Sequence, residues 1–314
     1  MSGASLIAAT LALLFACGLG FGMGRARLCL ITATHDFVFA ADPGGLRLQA
    51  LAIGAMAFLF GSEQMLVMHR LPLPMAGAGV GLVPVGAALL AIGFILNDGC
   101  YLGSVSFLGQ GKIRYLFTLI GIYVAELISV PRRLMFSEQE NLVPQASIPP
   151  LAATAAVFAI LAWIVLGPKA NAGGRQRMGG VIIASVSALL LFSILPGGSS
   201  GAPIAGLARS GVLALGLPQF AGVTLFLGAI IANVTSGQWR LEPPGLSGVV
   251  RCLLGGYIMQ TGAQIVPGGT DTWLFWTIPG GGLHGVIAYA VAVPITLAWW
   301  WLHRSLARVR AVGA

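Results

Sequence analysis

From Gly77 to Leu96 the chain passes through twenty residues without one charged side chain. Several other stretches repeat that pattern. An uncharged run of roughly 20 residues is the length a helix needs to cross the hydrocarbon layer of a bilayer. Only 8% of the 314 residues are charged, against about 25% in soluble domains. The expected fold is therefore an all-α polytopic membrane protein, with residues 1–314 forming one transmembrane domain. The 45 glycines and 17 prolines agree with this, since both are commoner in membrane helices, and glycine lets helices approach closely.

Nine spans are expected, at about 4–23, 48–68, 77–96, 112–130, 149–166, 179–195, 219–235, 247–265 and 282–302. The N-terminus has no basic run before its first apolar segment, so it reads as a retained helix and not a cleaved signal. Basic residues supply the orientation. Arg304, Arg308 and Arg310 follow the last span, and Lys169, Arg175 and Arg177 lie between the fifth and sixth. The positive-inside rule puts both groups in the cytoplasm, and the even number of spans between them makes the two assignments agree. The N-terminus then lies outside the cell, and the expected location is the inner (plasma) membrane. Arg132 and Arg133 fall on the outer side, against the rule, in a loop that also carries Glu138 and Glu140.

The net charge of +8 comes from basic residues scattered over short loops. No basic stripe interleaves with aromatics, so nucleic acid is not an expected partner. Anionic lipid beside cytoplasmic loops explains the charge better. The four cysteines, Cys17, Cys29, Cys100 and Cys252, include no CxxC pair. Zinc, iron–sulfur and disulfide-framework readings are correspondingly weak. No metal or cofactor is expected. No phosphate-binding GxxxxGK[ST] run is present, and the reading is of a protein that is not an enzyme.

The chain also reads as two related halves. Gly86-x6-Gly93-x5-Gly99-Cys100 parallels Gly255-x6-Gly262-x5-Gly268-Gly269-Thr270. Each series ends an apolar helix and leads through a short polar segment into another. The expected organisation is a first repeat over 1–131, a spacer helix over 149–167 and a second repeat over 178–303. One spacer reverses the second half across the membrane, giving a 4 + 1 + 4 inverted-topology repeat. In such designs the transport site lies where the halves meet. The polar interruptions Asn97-Asp98-Gly99-Cys100, Pro196–Gly201 and Pro267-Gly268-Gly269-Thr270-Asp271 are the expected pathway, because irregular backbone at membrane depth must be buried or line a wet cavity. Short pieces after them, Ser104–Leu108 and Trp273–Thr277, read as re-entrant half-helices, whose free N–H groups suit an anion.

These motifs resemble a known family. Gly93–Gly103 is similar to the glycine–cysteine signature of the YeeE/YedE sulfur-transport membrane proteins. Arg27-Leu28-Cys29 with Thr32-Ala33-Thr34-His35-Asp36 is similar to that family's first cysteine segment, and Gly255-Gly256-Tyr257-Ile258-Met259-Gln260-Thr261-Gly262-Ala263 to its Gly-Gly-x-x-Met-x-x-Gly-Ala run. The resemblance implies a nine-span, hourglass-like inverted repeat that takes up thiosulfate or a related sulfur or selenium species, with cysteines contacting the substrate in succession. It also implies a small sulfur-containing anion as substrate, the lipid bilayer as surroundings and, as a further candidate partner, a cytoplasmic sulfur-carrier protein. Two departures stand out. The family's second-half Gly-Gly-Cys is Gly268-Gly269-Thr270 here, and Asn97-Asp98 replaces the usual glycine before Cys100.

The expected pathway residues are thus Cys29, Asn97, Asp98, Gly99, Cys100, Gly268, Gly269, Thr270 and Asp271. Cys100 leads, because a thiol at a helix N-terminus is the kind that becomes reactive. Cys17 and Cys252 read as packing residues. Asp36, Asp98, Glu126 and Asp271 are acids in or near spans, where ionisable groups are candidates by default. Asp98 fits either a tuning role beside the thiol or an N-cap of the following helix. His284 and the tryptophans Trp273, Trp276, Trp299, Trp300 and Trp301 read as interfacial. Two other functions remain open: a membrane-embedded thiol redox pair, Cys29 with Cys100, and a permease of the same scaffold with a non-sulfur substrate.

Overall fold

The computed structural model describes residues 3–67, 80–128, 172–195, 202–210, 216–266 and 268–312. Its elements are helices: α1 (Gly3–Ala26), α2 (Leu30–Ala40), α3 (Gly44–Val67), α4 (Val83–Asn97), α5 (Tyr101–Gly109), α6 (Leu116–Leu127), α7 (Ala172–Ile194), α8 (Ala202–Ser210), α9 (Leu217–Thr235), α10 (Leu246–Ile265), α11 (Thr270–Thr272) and α12 (Leu283–Val312). A π-helical turn, Trp273–Thr277, continues α11. The expected spacer over 149–166 and the Pro196–Gly201 segment lie outside the described residues.

Among the described residues, six stretches are long and apolar enough to cross a membrane: Ser5–Ala40, Gly44–Glu63, Val83–Gly109, Gly174–Ile194, Leu217–Thr235 and Leu283–Ala307. The protein is therefore an all-helical, multi-pass membrane protein. Two of these stretches combine a long helix with the short one after it, α1 with α2 and α4 with α5. The segment 24–47, which falls between the first two expected spans, is largely helical, because Leu30–Ala40 offers an apolar run that buries Leu30, Ile31, Ala33, Thr34 and Val38. α10 has the length of a span but carries Arg251, Gln260 and Gln264, which lower its apolar character.

Local chemistry sets the breaks. α1 stops at Arg27, whose φ of 53° is left-handed. α4 opens with Pro84 in its first turn, where the missing N–H costs nothing. It closes at Asp98, again left-handed at φ 55°. α10 ends at Val266, which is extended, as the residue before a proline tends to be.

Glycine explains how the long helices meet. Gly20 of α1 lies on the Leu225 carbonyl of α9, while Gly228 of α9 lies on the Cys17 carbonyl of α1. On the α4–α10 seam, a Cβ at Gly262 would stand 2.6 Å from the Gly86 carbonyl oxygen, and one at Gly93 would stand 2.7 Å from the Met259 amide. Backbone contact of this kind is how helices associate where lipid removes the hydrophobic drive. α1 also packs on α7, α3 on α7, α10 on α6 and α12 on α4; the short helix α2 packs on α3 and α12, and α8 on α9 and α6. Leu6, Ile7 and Leu14 of α1, Ile182 and Val186 of α7, and Val223 and Leu227 of α9 face outward, as lipid-facing side chains do.

Candidate functional site

Two short helices start at the same place. Cys29 is the N-cap of α2 and Cys100 the N-cap of α5, both with extended backbone. The Cys100 thiol lies 3.7 Å from Cys29 Sγ, within hydrogen-bonding reach. Both side chains are buried, Cys29 at 3% exposure and Cys100 at 0%. Two first-turn amides point at the Cys100 sulfur: Leu30 N–H of α2 and Gly103 N–H of α5, each at 3.4 Å. Such N–H groups carry the positive end of a helix dipole and favour negative charge nearby. Gly103 makes the thiol pair sterically feasible, because any Cβ there would run into Cys29 Sγ.

Asn97 braces this corner. Its Nδ2 donates to the Gly99 carbonyl and to Ser104 Oγ, both at 2.8 Å, and its Oδ1 accepts from Thr118 Oγ1 at 2.6 Å. Asn97 is thus a buried structural clamp between α4, α5 and α6. Asp98 is not an N-cap; Cys100 holds that place. Asp98 forms an ion pair with Arg114 at 3.1 Å, half-exposed, and the Tyr115 hydroxyl donates to its carbonyl. The acid two residues from the thiol thus carries a guanidinium counter-charge. Gly99 lies against the Tyr115 ring.

The second-half segment reaches the same point. The Thr270 side chain is a hydrogen-bonding neighbour of the Cys100 thiol, yet its Oγ1 makes no full hydrogen bond among the described residues. Gly269, N-cap of α11, sits on the Tyr101 ring, where no Cβ would fit. Gly268 holds a left-handed φ of 86°, which glycine adopts freely. Asp271, 6% exposed, is a charged neighbour of Tyr101. The structure therefore brings Cys29, Cys100 and Thr270 together, places Asn97, Gly99, Gly268 and Gly269 in their immediate support, and holds Asp98 to one side.

Buried polar groups concentrate on α11 and its π turn. Thr270 Oγ1, Thr272 Oγ1, Trp273 Nε1, Trp276 Nε1 and Thr277 Oγ1 lack hydrogen-bond partners among the described residues, as does His284 Nε2 at the start of α12. Trp273 and Trp276 were expected at the membrane interface; they are buried, because aromatic contacts with Phe94, and with Phe60 and Phe192, take them into the core. Trp299 and Trp301 are exposed. His284 is likewise buried, against expectation.

A second polar chain escaped the sequence reading. Tyr101 donates to Gln260 Oε1 at 2.7 Å, Gln260 Nε2 donates to Glu126 Oε2 at 2.7 Å, and Gln264 Nε2 joins the same oxygen at 2.9 Å. On the other flank, Tyr289, a neighbour of Cys100, donates to Gln49 Oε1 at 2.6 Å. The signal for α10 was visible as Gln260 and Gln264, four apart on one face of a helix. Cys252 is buried and Cys17 partly so. Cys252 lies 3.9 Å from the Asn97 carbonyl, on the α4–α10 seam.

No curated protein matches the chain. Residues 25–172 match the protein-family model described as sulphur transport, a segment that includes both Cys29 and Cys100. With this match the resemblance to the YeeE/YedE sulfur-transport family stands over that segment of a multi-pass membrane protein.

Proposed function

We propose that the protein is a permease for an inorganic sulfur anion, thiosulfate or a close sulfur or selenium relative, and that Cys29, Cys100 and Thr270 form its constriction. One observation carries this reading: two buried thiols 3.7 Å apart, with the first-turn amides of two different helices directed at one of them. The amides offset negative charge, and the thiols offer weak S–H···S and S–H···O contacts. Weak, multiple contacts let a substrate leave as well as arrive. The Thr270 hydroxyl stands where the family carries its third thiol and donates to the same substrate. The unpartnered donors of α11 then line the approach, with Gly268, Gly269 and Asp271 shaping it. Bringing a dianion into an inside-negative cell costs ~2.3 kcal/mol per charge for each 100 mV. Uptake is therefore driven by a coupled ion or by a cytoplasmic sulfur-carrier protein that consumes the cargo.

The architecture behind this is a nine-span inverted repeat in the inner membrane, N-terminus outside and C-terminus in the cytoplasm, with halves at 1–131 and 178–303. Reciprocal packing supports it. Exchanging α1–α6 in order with α7–α12 turns the α1–α9 pair into α7–α3, α10–α6 into α4–α12, and α2–α12 into α8–α6, and all of these pairs pack together. Uptake of radiolabelled thiosulfate by proteoliposomes tests the function. Saturable uptake that other sulfur oxyanions compete for is expected; empty-liposome rates would end the proposal.

A further inference from the structure

We propose that Cys29 and Cys100 form a reversible disulfide that shuts the constriction, and that a polythionate, an oxidised dianionic relative of the cargo, is the oxidant that makes it. The proposal rests on the permease site and adds a redox state to it. Four observations support it. The two sulfurs are 3.7 Å apart and need to close to about 2.05 Å to bond. Each cysteine is an N-cap outside its helix proper, so a small rotation at the cap closes the gap without unwinding either helix. Gly103 leaves the Cys29 sulfur free of a competing Cβ. The Cys100 S–H points at the Cys29 sulfur, which leaves Cys29 as the thiolate side of the pair while the Leu30 and Gly103 amides face its partner, and the thiolate is the form that attacks.

The chemistry balances with tetrathionate, whose terminal sulfonates resemble those of thiosulfate and give it the same route. One thiolate attacks an inner sulfur, breaks the central S–S bond and expels one thiosulfate, leaving a sulfenyl-thiosulfate adduct on that cysteine. The neighbouring thiol attacks the cysteine sulfur of this adduct, forms the protein disulfide and expels the second thiosulfate. Two thiols lose two electrons and two protons; one tetrathionate gains the electrons and becomes two thiosulfates. Cytoplasmic dithiols reverse the step by exchange. A disulfide at the narrowest point removes both S–H donors at once, so flux stops while oxidised sulfur is present outside.

The test uses the full-length Cys17→Ala/Cys252→Ala variant in proteoliposomes, which keeps only the proposed pair. Tetrathionate is the probe, and the neutral oxidant diamide is the control. Expected are a Cys29–Cys100 cross-linked peptide by mass spectrometry with both oxidants, two thiosulfates released per chain with tetrathionate, and uptake that falls about tenfold or more and returns with dithiothreitol. A stable single-cysteine adduct, no cross-link, or uptake unchanged in fully cross-linked protein would each overturn the proposal. The cross-link and the thiosulfate count are read without transport. A reduced protein that carries no thiosulfate therefore sinks the permease reading separately.

Discussion

In the proposed inverted repeat the short helices α5 and α11 occupy matching places, yet they are built differently. α5 is well supplied with partners, with Ser106 Oγ its one buried side-chain atom left without one among the described residues. Its N-cap thiol, the Asn97 amide, Ser104 and the Tyr101 hydroxyl all bond within the protein. α11 is three residues of helix followed by a π turn, and it gathers five buried polar atoms without partners among the described residues. A buried donor left unmade costs about 1–3 kcal/mol, and π turns recur at functional sites. The contrast indicates a division of labour. On the proposed pathway, α5 would fix the thiols in space and α11 would keep its donors available to the substrate.

The sharpest way to break that contrast is to crowd the rigid side. Gly103→Leu puts carbon where Cys29 Sγ lies; it is expected to abolish uptake and to cost ~1–3 kcal/mol by overpacking, read as a lower thermal midpoint in detergent. Unchanged uptake would mean the thiol pair is incidental. Next comes the α5 anchor. Gln260→Leu leaves Tyr101 and Glu126 without their shared amide and is expected to destabilise by about 1–3 kcal/mol, measured by denaturant titration; Asn97→Ala acts in the same direction through Ser104 and Thr118.

The open side is probed more gently. Thr270→Val removes one donor and is expected to lower uptake about fivefold, ~1 kcal/mol, with little change in stability, since Thr270 Oγ1 has no full bond to lose. Thr270→Cys, which restores a third thiol, is expected to keep uptake. A loss of stability larger than the loss of uptake would show that α11 is scaffold too. The smallest effect belongs to Asp98→Asn. Its ion pair with Arg114 is half-exposed, and such pairs contribute about 0–1 kcal/mol. Uptake within about twofold of wild type is expected at ordinary salt, where exposed charges are screened.

Much of this plan was legible in the residues. The long apolar runs marked the six membrane-length stretches found among the described residues, and the Gly86–Gly93 and Gly255–Gly262 series marked the seam where α4 and α10 touch. Cys29 and Cys100 could be chosen from four cysteines because each followed a break in an apolar run. What the sequence hid depends on tertiary contact. Asp98 had two readings until Arg114, sixteen residues on, came within 3.1 Å. Trp273 and Trp276 looked like interfacial residues because tryptophan favours that zone, and only Phe60, Phe94 and Phe192 draw them inward. Tyr101, Gln49 and Tyr289 carried no motif, and their importance comes from partners up to 240 positions away.

The central claim is that sulfur passes through a pair of facing thiols. Its most direct test is initial-rate uptake of radiolabelled thiosulfate by proteoliposomes holding equal amounts of wild type, Cys29→Ala and Cys100→Ala. The account expects both variants to fold and to lose about tenfold or more in rate, the equivalent of ~1.4 kcal/mol at the barrier. Wild-type rates in both variants would contradict it.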